Sequence, residues 1–189
     1  MFGRVYGSVL LLLMCLGMFL LPAPAGAGRS VQLVGSPDEV CSLRAYVVDP
    51  DPQGLNVRSG PGKQFPVVGK IPRGDGAVGV NVVGSVGQWL QVEDARIQGE
   101  EEVLFKGPGW VYGPMLATET RSEGYDGPKP VVKVYREPSA RSAVAGKLPP
   151  GLEVRITGCK AHWARIQSKG LTGWIDGESQ CANTLTNCS

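Results

Sequence analysis

Apolar and polar positions along this chain follow two different rules. Residues 9–21 form one apolar run of 13 residues, interrupted only by Gly17. Beyond it no segment keeps an apolar period of 3.6 residues. Short stretches alternate instead: residues 78–83 (Val-Gly-Val-Asn-Val-Val), 88–92 (Gln-Trp-Leu-Gln-Val), 152–156 (Leu-Glu-Val-Arg-Ile) and 163–166 (Trp-Ala-Arg-Ile). A period of two puts the apolar side chains on one face of a strand. Turn-forming residues separate these stretches, at Gly60-Pro61-Gly62, at 73–76, at 84–87 and at 168–170. The pattern predicts an all-β chain of short strands.

The pattern also repeats. Val57 and Val134, Pro61 and Pro138, Gly69 and Gly146, Pro72 and Pro149, and Gly74 and Gly151 all stand 77 positions apart. Further on the offset shrinks. Trp89 answers Trp163 at 74, and Gly109-Trp110-Val111 answers Gly173-Trp174-Ile175 at 64. The first copy is therefore longer, chiefly around residues 96–109, where a lengthened hairpin loop is expected. Two copies are too few for a propeller or a solenoid. Two tandem small β-barrels fit the pattern, a first domain at 41–117 and a second at 130–189 with a Cys-rich tail. Residues 118–129, polar with Gly and Pro, have the composition of a linker.

The apolar run changes the picture of where the protein works. Arg4 precedes it, and Ala23, Ala25 and Ala27 follow it at the spacing a signal peptidase reads. Residues 1–27 are expected to be a cleaved secretory signal peptide. The run is shorter than the ~20 residues a membrane span needs, which speaks against the rival reading, an uncleaved anchor. No membrane span is expected in the mature chain. Cys15 lies within the run, preceded by Leu13 and Met14 rather than the small residues of a lipoprotein site, and would leave with the signal.

Composition agrees with this reading. Gly 27 and Pro 15 in 189 residues suit many turns, and a net charge of +2 gives no field for binding nucleic acid. With one histidine, His162, multi-histidine metal sites and most His-dependent catalysis are excluded. No cofactor is expected. Four cysteines remain after Cys15, namely Cys41, Cys159, Cys181 and Cys188. In an exported chain they predict two disulfides. Cys181–Cys188 with Cys41–Cys159, and Cys159–Cys181 with Cys41–Cys188, are both allowed.

Residues 55–62 (Leu-Asn-Val-Arg-Ser-Gly-Pro-Gly), then Pro66-Val67-Val68-Gly69, Trp89 and finally Gly109-Trp110-Val111, resemble a bacterial SH3-like (SH3b) domain. The second copy resembles it too, through its turn, Trp163 and Gly173-Trp174-Ile175. It departs at Lys133-Val134-Tyr135-Arg136, which lacks the Asn and shifts the Arg. The resemblance implies partly open five-stranded barrels. It also implies an exported, periplasmic or extracellular binding module for peptidoglycan or its stem peptides. Such modules often accompany wall hydrolases; the repeats and the signal use nearly all of these residues, so no hydrolase domain is expected among them. The alternative is an adaptor that docks an envelope or secreted protein.

Candidate ligand-binding residues are Arg58, at the place of the motif arginine, and the aromatics Tyr46, Trp89, Trp110, Tyr112, Tyr135, Trp163 and Trp174. Arg58 has two readings, bonds to its own loop carbonyls and capture of a ligand carboxylate. The aromatics divide between packing and a groove for sugar rings or apolar stem residues. Asp49-Pro50-Asp51 is read as a stiffened loop rather than a calcium site, which needs six or more oxygens. An enzyme using Cys159 and His162 is the remaining class. On an extended segment those residues face opposite sides. A non-enzymatic module without metal is expected.

Overall fold

The computed structural model describes residues 3, 35–74, 77–124, 127–128, 131–183 and 185. The expected signal segment, apart from Gly3, and Cys188 lie outside the described residues. Among the described residues, fifteen strands account for nearly all of the regular structure. They are β1 (Glu39–Val47), β2 (Leu55–Arg58), β3 (Val67–Ile71), β4 (Val78–Val86), β5 (Trp89–Ile97), β6 (Val103–Tyr112), β7 (Leu116–Thr120) and β8 (Glu123–Gly124). There follow β9 (Gly127–Pro128), β10 (Val132–Tyr135), β11 (Val144–Leu148), β12 (Glu153–Lys160), β13 (Trp163–Ser168), β14 (Leu171–Ile175) and β15 (Gln180–Cys181). Single 3-10 turns at Gly113–Met115 and Gly177–Ser179 precede β7 and β15.

The internal repeat is a repeat of topology. The first copy runs β1-β4-β5-β6-β2-β3 across the sheet, and the second runs β7-β12-β13-β14-β10-β11. Even its details recur. Ser59 N–H donates to the Pro66 carbonyl at 3.0 Å, and 77 residues later Arg136 N–H donates to the Ala143 carbonyl at 2.9 Å. Each copy carries a register shift in its central hairpin, between Val82 and Gly84 in the first and between Ile156 and Gly158 in the second.

The copies meet along one strand. β7 pairs with β1 through Ala117 and Leu116, as the last strand of the first copy. The same strand pairs with β12 through Ala117, Thr118 and Glu119, and with β15 through Glu119 and Thr120, as the first strand of the second copy. The two copies are therefore joined through a shared strand. Thirteen of the strands make one sheet that is not closed, whose path ends at β3 and at β11, while β8 and β9 pair apart from it. The residues read as the start of a linker, 118–120, are strand residues. Thr118 and Thr120 are fully buried, and their hydroxyls donate to the carbonyls of Cys181 (3.0 Å) and Pro149 (2.7 Å). Burial of these hydroxyls costs little because each has a partner.

Both copies feed one apolar core. Val57 and Val134, the matched positions of the motif strands, are each fully buried, with Leu90, Val111, Ile156 and Ile166 beside them. A disulfide between Cys41 on β1 and Cys159 on β12, with Cα atoms 5.8 Å apart, ties the copies at a second place. Ser85 reinforces that junction. Its hydroxyl donates to the Cys159 carbonyl and accepts from the Cys159 N–H, at 3.1 and 3.3 Å. Cys181 is also disulfide-bonded.

Candidate ligand-binding surfaces

Arg58 is a brace. Its Nη1 donates to the carbonyls of Lys63 (3.2 Å) and Phe65 (2.8 Å), closing the turn that follows β2. That turn also requires Gly60, because a Cβ there would lie 2.6 Å from the Phe65 ring. In the second copy Tyr135 stands at the position of Arg58, and the turn is held by the Ser142 hydroxyl, which accepts from Glu137 N–H at 3.0 Å. The Asp49 and Asp51 carboxylates accept from the N–H groups of Asp51 and Gln53, so both are used by their own loop.

The aromatics separate into two groups. Trp110 is fully buried, and its Nε1 has no acceptor among the described residues. Tyr46 is 1% exposed. Its hydroxyl donates to Glu153 Oε2 of the second copy at 3.3 Å. Burial first, then the charges of Glu153 and Glu119, push its phenol far above the ordinary tyrosine value. The structure thus takes Tyr46 and Trp110 out of any groove and makes them packing residues, because neither ring reaches solvent.

The other five reach the surface to differing degrees. Trp89 and Tyr112, opposite each other on β5 and β6, are half-buried, with ring centroids 5.6 Å apart. The Tyr112 hydroxyl donates to Gln88 at 3.2 Å. In the second copy Tyr135 meets Trp163 edge-on at 5.5 Å and pairs across the sheet with Trp174. Trp163 is 7% exposed, while Tyr135 and Trp174 are half-buried. His162 lies 5.8 Å from the Trp163 ring. Since Cys159 is bridged to Cys41, its sulfur offers no thiolate for the Cys159–His162 chemistry.

Sequence reasoning missed a third surface. A groove of about 540 Å³ lies on the outer face of β1, β4 and β5, where Arg44, Asn81, Asp94 and Arg96 form its floor. The register places Arg44 opposite Asn81, and Asn81 opposite Asp94. Its wall comes from the second copy, through Gly177, Gln180, Ala182 and Asn183. The only signal in the sequence is alternation: these polar residues occupy outward strand positions, like any solvated face.

The sequence profile of the family described as Bacterial SH3 domain matches residues 53–117 and 130–179. The chain belongs to the bacterial SH3 domain family. This family assignment covers both copies, including the second with its altered motif. A curated Bacillus subtilis (strain 168) protein, named "Putative N-acetylmuramoyl-L-alanine amidase YrvJ", is 30% identical over 146 residues, which is 75% of this chain and 26% of that protein. The chain thus spans about a quarter of the length of that relative. Solved structures of NlpC2 and NlpC1 from Trichomonas vaginalis are 15% and 14% identical to it. They cover 76% and 84% of this chain and 49% and 51% of their own, with TM-scores of 0.29 and 0.30.

Proposed function

We propose that this protein is an exported, non-enzymatic module that binds peptidoglycan in the bacterial envelope. The observation that carries the reading is a pair of half-buried aromatics opposite each other on paired strands in each copy, Trp89 with Tyr112 in the first and Tyr135 with Trp174 in the second. Aromatic faces that are anchored on one side and open on the other suit sugar rings and apolar stem residues.

Other observations support it. The chain is a bacterial SH3 protein, and its relative bears the name of an N-acetylmuramoyl-L-alanine amidase. The shared quarter of that relative is, on this reading, the part that holds the wall rather than the part that cuts it. A disulfide between distant strands fits an oxidising compartment. Among the described residues no helix is long and apolar enough to cross a membrane. The bridging of Cys159 removes the nucleophile that an enzymatic reading would use.

The test is co-sedimentation of the purified protein with protein-free peptidoglycan. Pelleting that survives high salt supports the module, because stacking is weakly screened whereas exposed charge pairs are not. Failure to pellet at low and high salt alike overturns the reading and favours an adaptor that docks an envelope protein.

A further inference from the structure

We infer that the outward face of the second copy binds a phosphodiester-linked sugar or polyol polymer, with the Lys133–Lys147 pair and Arg165 as its phosphate contacts. The inference deepens the wall-binding reading and rests on it for the aromatic rings of this face.

The three cations share one face with those rings. On β10, Val132 and Val134 are buried, so Lys133 and Tyr135 point outward. Lys133 stands opposite Lys147 on β11, and Tyr135 stands opposite Trp174 on β14. Trp174 in turn stands opposite Arg165 on β13. Opposed residues of an antiparallel pair project to the same side. Across the four strands the order is therefore Arg165, Trp174, Tyr135 with Lys133, and Lys147. The two rings lie between Arg165 on one side and the lysine pair on the other. Lys133, Lys147 and Arg165 are exposed, and none of their side chains has an ion pair or a hydrogen bond among the described residues.

The first copy has the same row without this charge. There Gln91 stands opposite Trp110, and Asn56 stands opposite Lys70. Lys70 Nζ donates to Gln53 Oε1 at 3.0 Å. The second copy thus has Arg165 in place of Gln91 and Lys133 in place of Asn56, and Lys147 lacks the amide that holds Lys70. Like charges directly opposite on paired strands repel, and an anion between them removes the repulsion. The acids of this copy do not supply it. Glu153 accepts from Tyr46 and pairs with Arg155, and Asp176 accepts from the Ser179 N–H and hydroxyl. Glu137 and Glu178 stand in the turns after β10 and β14, outside the strands of this face.

A phosphodiester chain fits this row. Its charge is permanent at neutral pH and recurs along the chain, as two separated cationic positions require. The sugar ring or polyol carbons between two phosphates would lie over Trp174 and Tyr135. Half-buried rings leave little face for stacked bases, which disfavours a nucleic-acid strand. The whole chain carries only +2, so the attraction is local to this face.

The experiment is calorimetric titration of the purified protein with a synthetic hexamer of glycerol phosphate. Wild type is expected to bind. Lys133→Asn and Arg165→Gln install the residues of the first copy at exposed positions, and melting temperatures verify that both variants fold. Each should bind about tenfold more weakly and lower the salt dependence by about one released counterion. Equal binding by wild type and both variants, no binding by wild type, or tighter binding of hexadeoxyadenylate or of phosphatidylglycerol vesicles overturns the inference. Pelleting with protein-free peptidoglycan stripped of phosphate is measured in parallel. Pelleting without binding of the hexamer removes this inference alone, and binding of the hexamer without pelleting removes the peptidoglycan reading alone.

Discussion

The hydroxyl of Tyr46 donates to the carboxylate of Glu153, 107 residues further along the chain. The bond crosses β7, whose Ala117 pairs with Tyr46 on one side and with Arg155 on the other. A small residue in the shared strand lets groups from the two copies meet above it. Arg155 completes the cluster, with its Nη1 on the Val48 carbonyl at 3.3 Å and its Nη2 3.4 Å from Glu153.

Tyr46→Phe should therefore destabilise the whole protein by about 1 kcal/mol at neutral pH, the usual net worth of one hydrogen bond. Denaturation by urea measures it.

A pH dependence follows from the same residue. The Tyr46 phenol is raised above the ordinary tyrosine value, so the unfolded chain loses this proton first. The stabilisation is complete below about pH 10 and is lost as pH rises through the folded value. Wild type should lose stability from pH 9 to pH 11 more steeply than Tyr46→Phe. Parallel slopes in urea titrations of the two proteins would contradict this.

Because β7 serves both copies, the copies should unfold together. Ala117→Pro removes ladder bonds from the middle of the sheet and should unfold both. Calorimetry of the wild type should show one transition. Two resolved transitions would mean that the copies are independent.

The Cys41–Cys159 bridge closes a separation of 118 residues. Replacing both by alanine should cost about 2–5 kcal/mol, since the unfolded chain regains its freedom. Urea midpoints of the double variant against wild type, each kept oxidised, give the value.

Arg58→Ala should cost about 1–2 kcal/mol through the two lost carbonyl bonds, while the folded variant pellets with peptidoglycan as wild type does. Loss of pelleting without loss of stability would return Arg58 to the ligand site.

Much of this fold is legible in the sequence because it repeats. The 77-residue offset marks paired glycines, prolines and valines, and these hold the same turns and core positions in both copies. The alternation in 78–83 and 163–166 appears directly as strands β4 and β13. The shared strand is not legible. Leu-Ala-Thr-Glu-Thr ends in residues that read as linker, and partners far along the chain, the carbonyls of Cys181 and Pro149 and the Leu152 N–H, make buried threonines acceptable there. The aromatics show the same limit. Trp110 and Trp174 hold matched positions, yet one is fully buried and the other half-buried, because burial depends on what the neighbouring strands place over each ring. The groove escapes sequence reasoning altogether. Arg44 and Asp94 are ordinary outward positions until residues 177–183 of the other copy are laid across them.

Wall binding through the half-buried aromatics is the core of the proposed function. The most direct measurement compares wild type with a Trp89→Ala, Tyr135→Ala variant in co-sedimentation with protein-free peptidoglycan at high salt, with circular dichroism verifying that both are folded. Wild type is expected to pellet and the folded variant to stay in solution. Equal pelleting of the two proteins, or none by wild type, would contradict it.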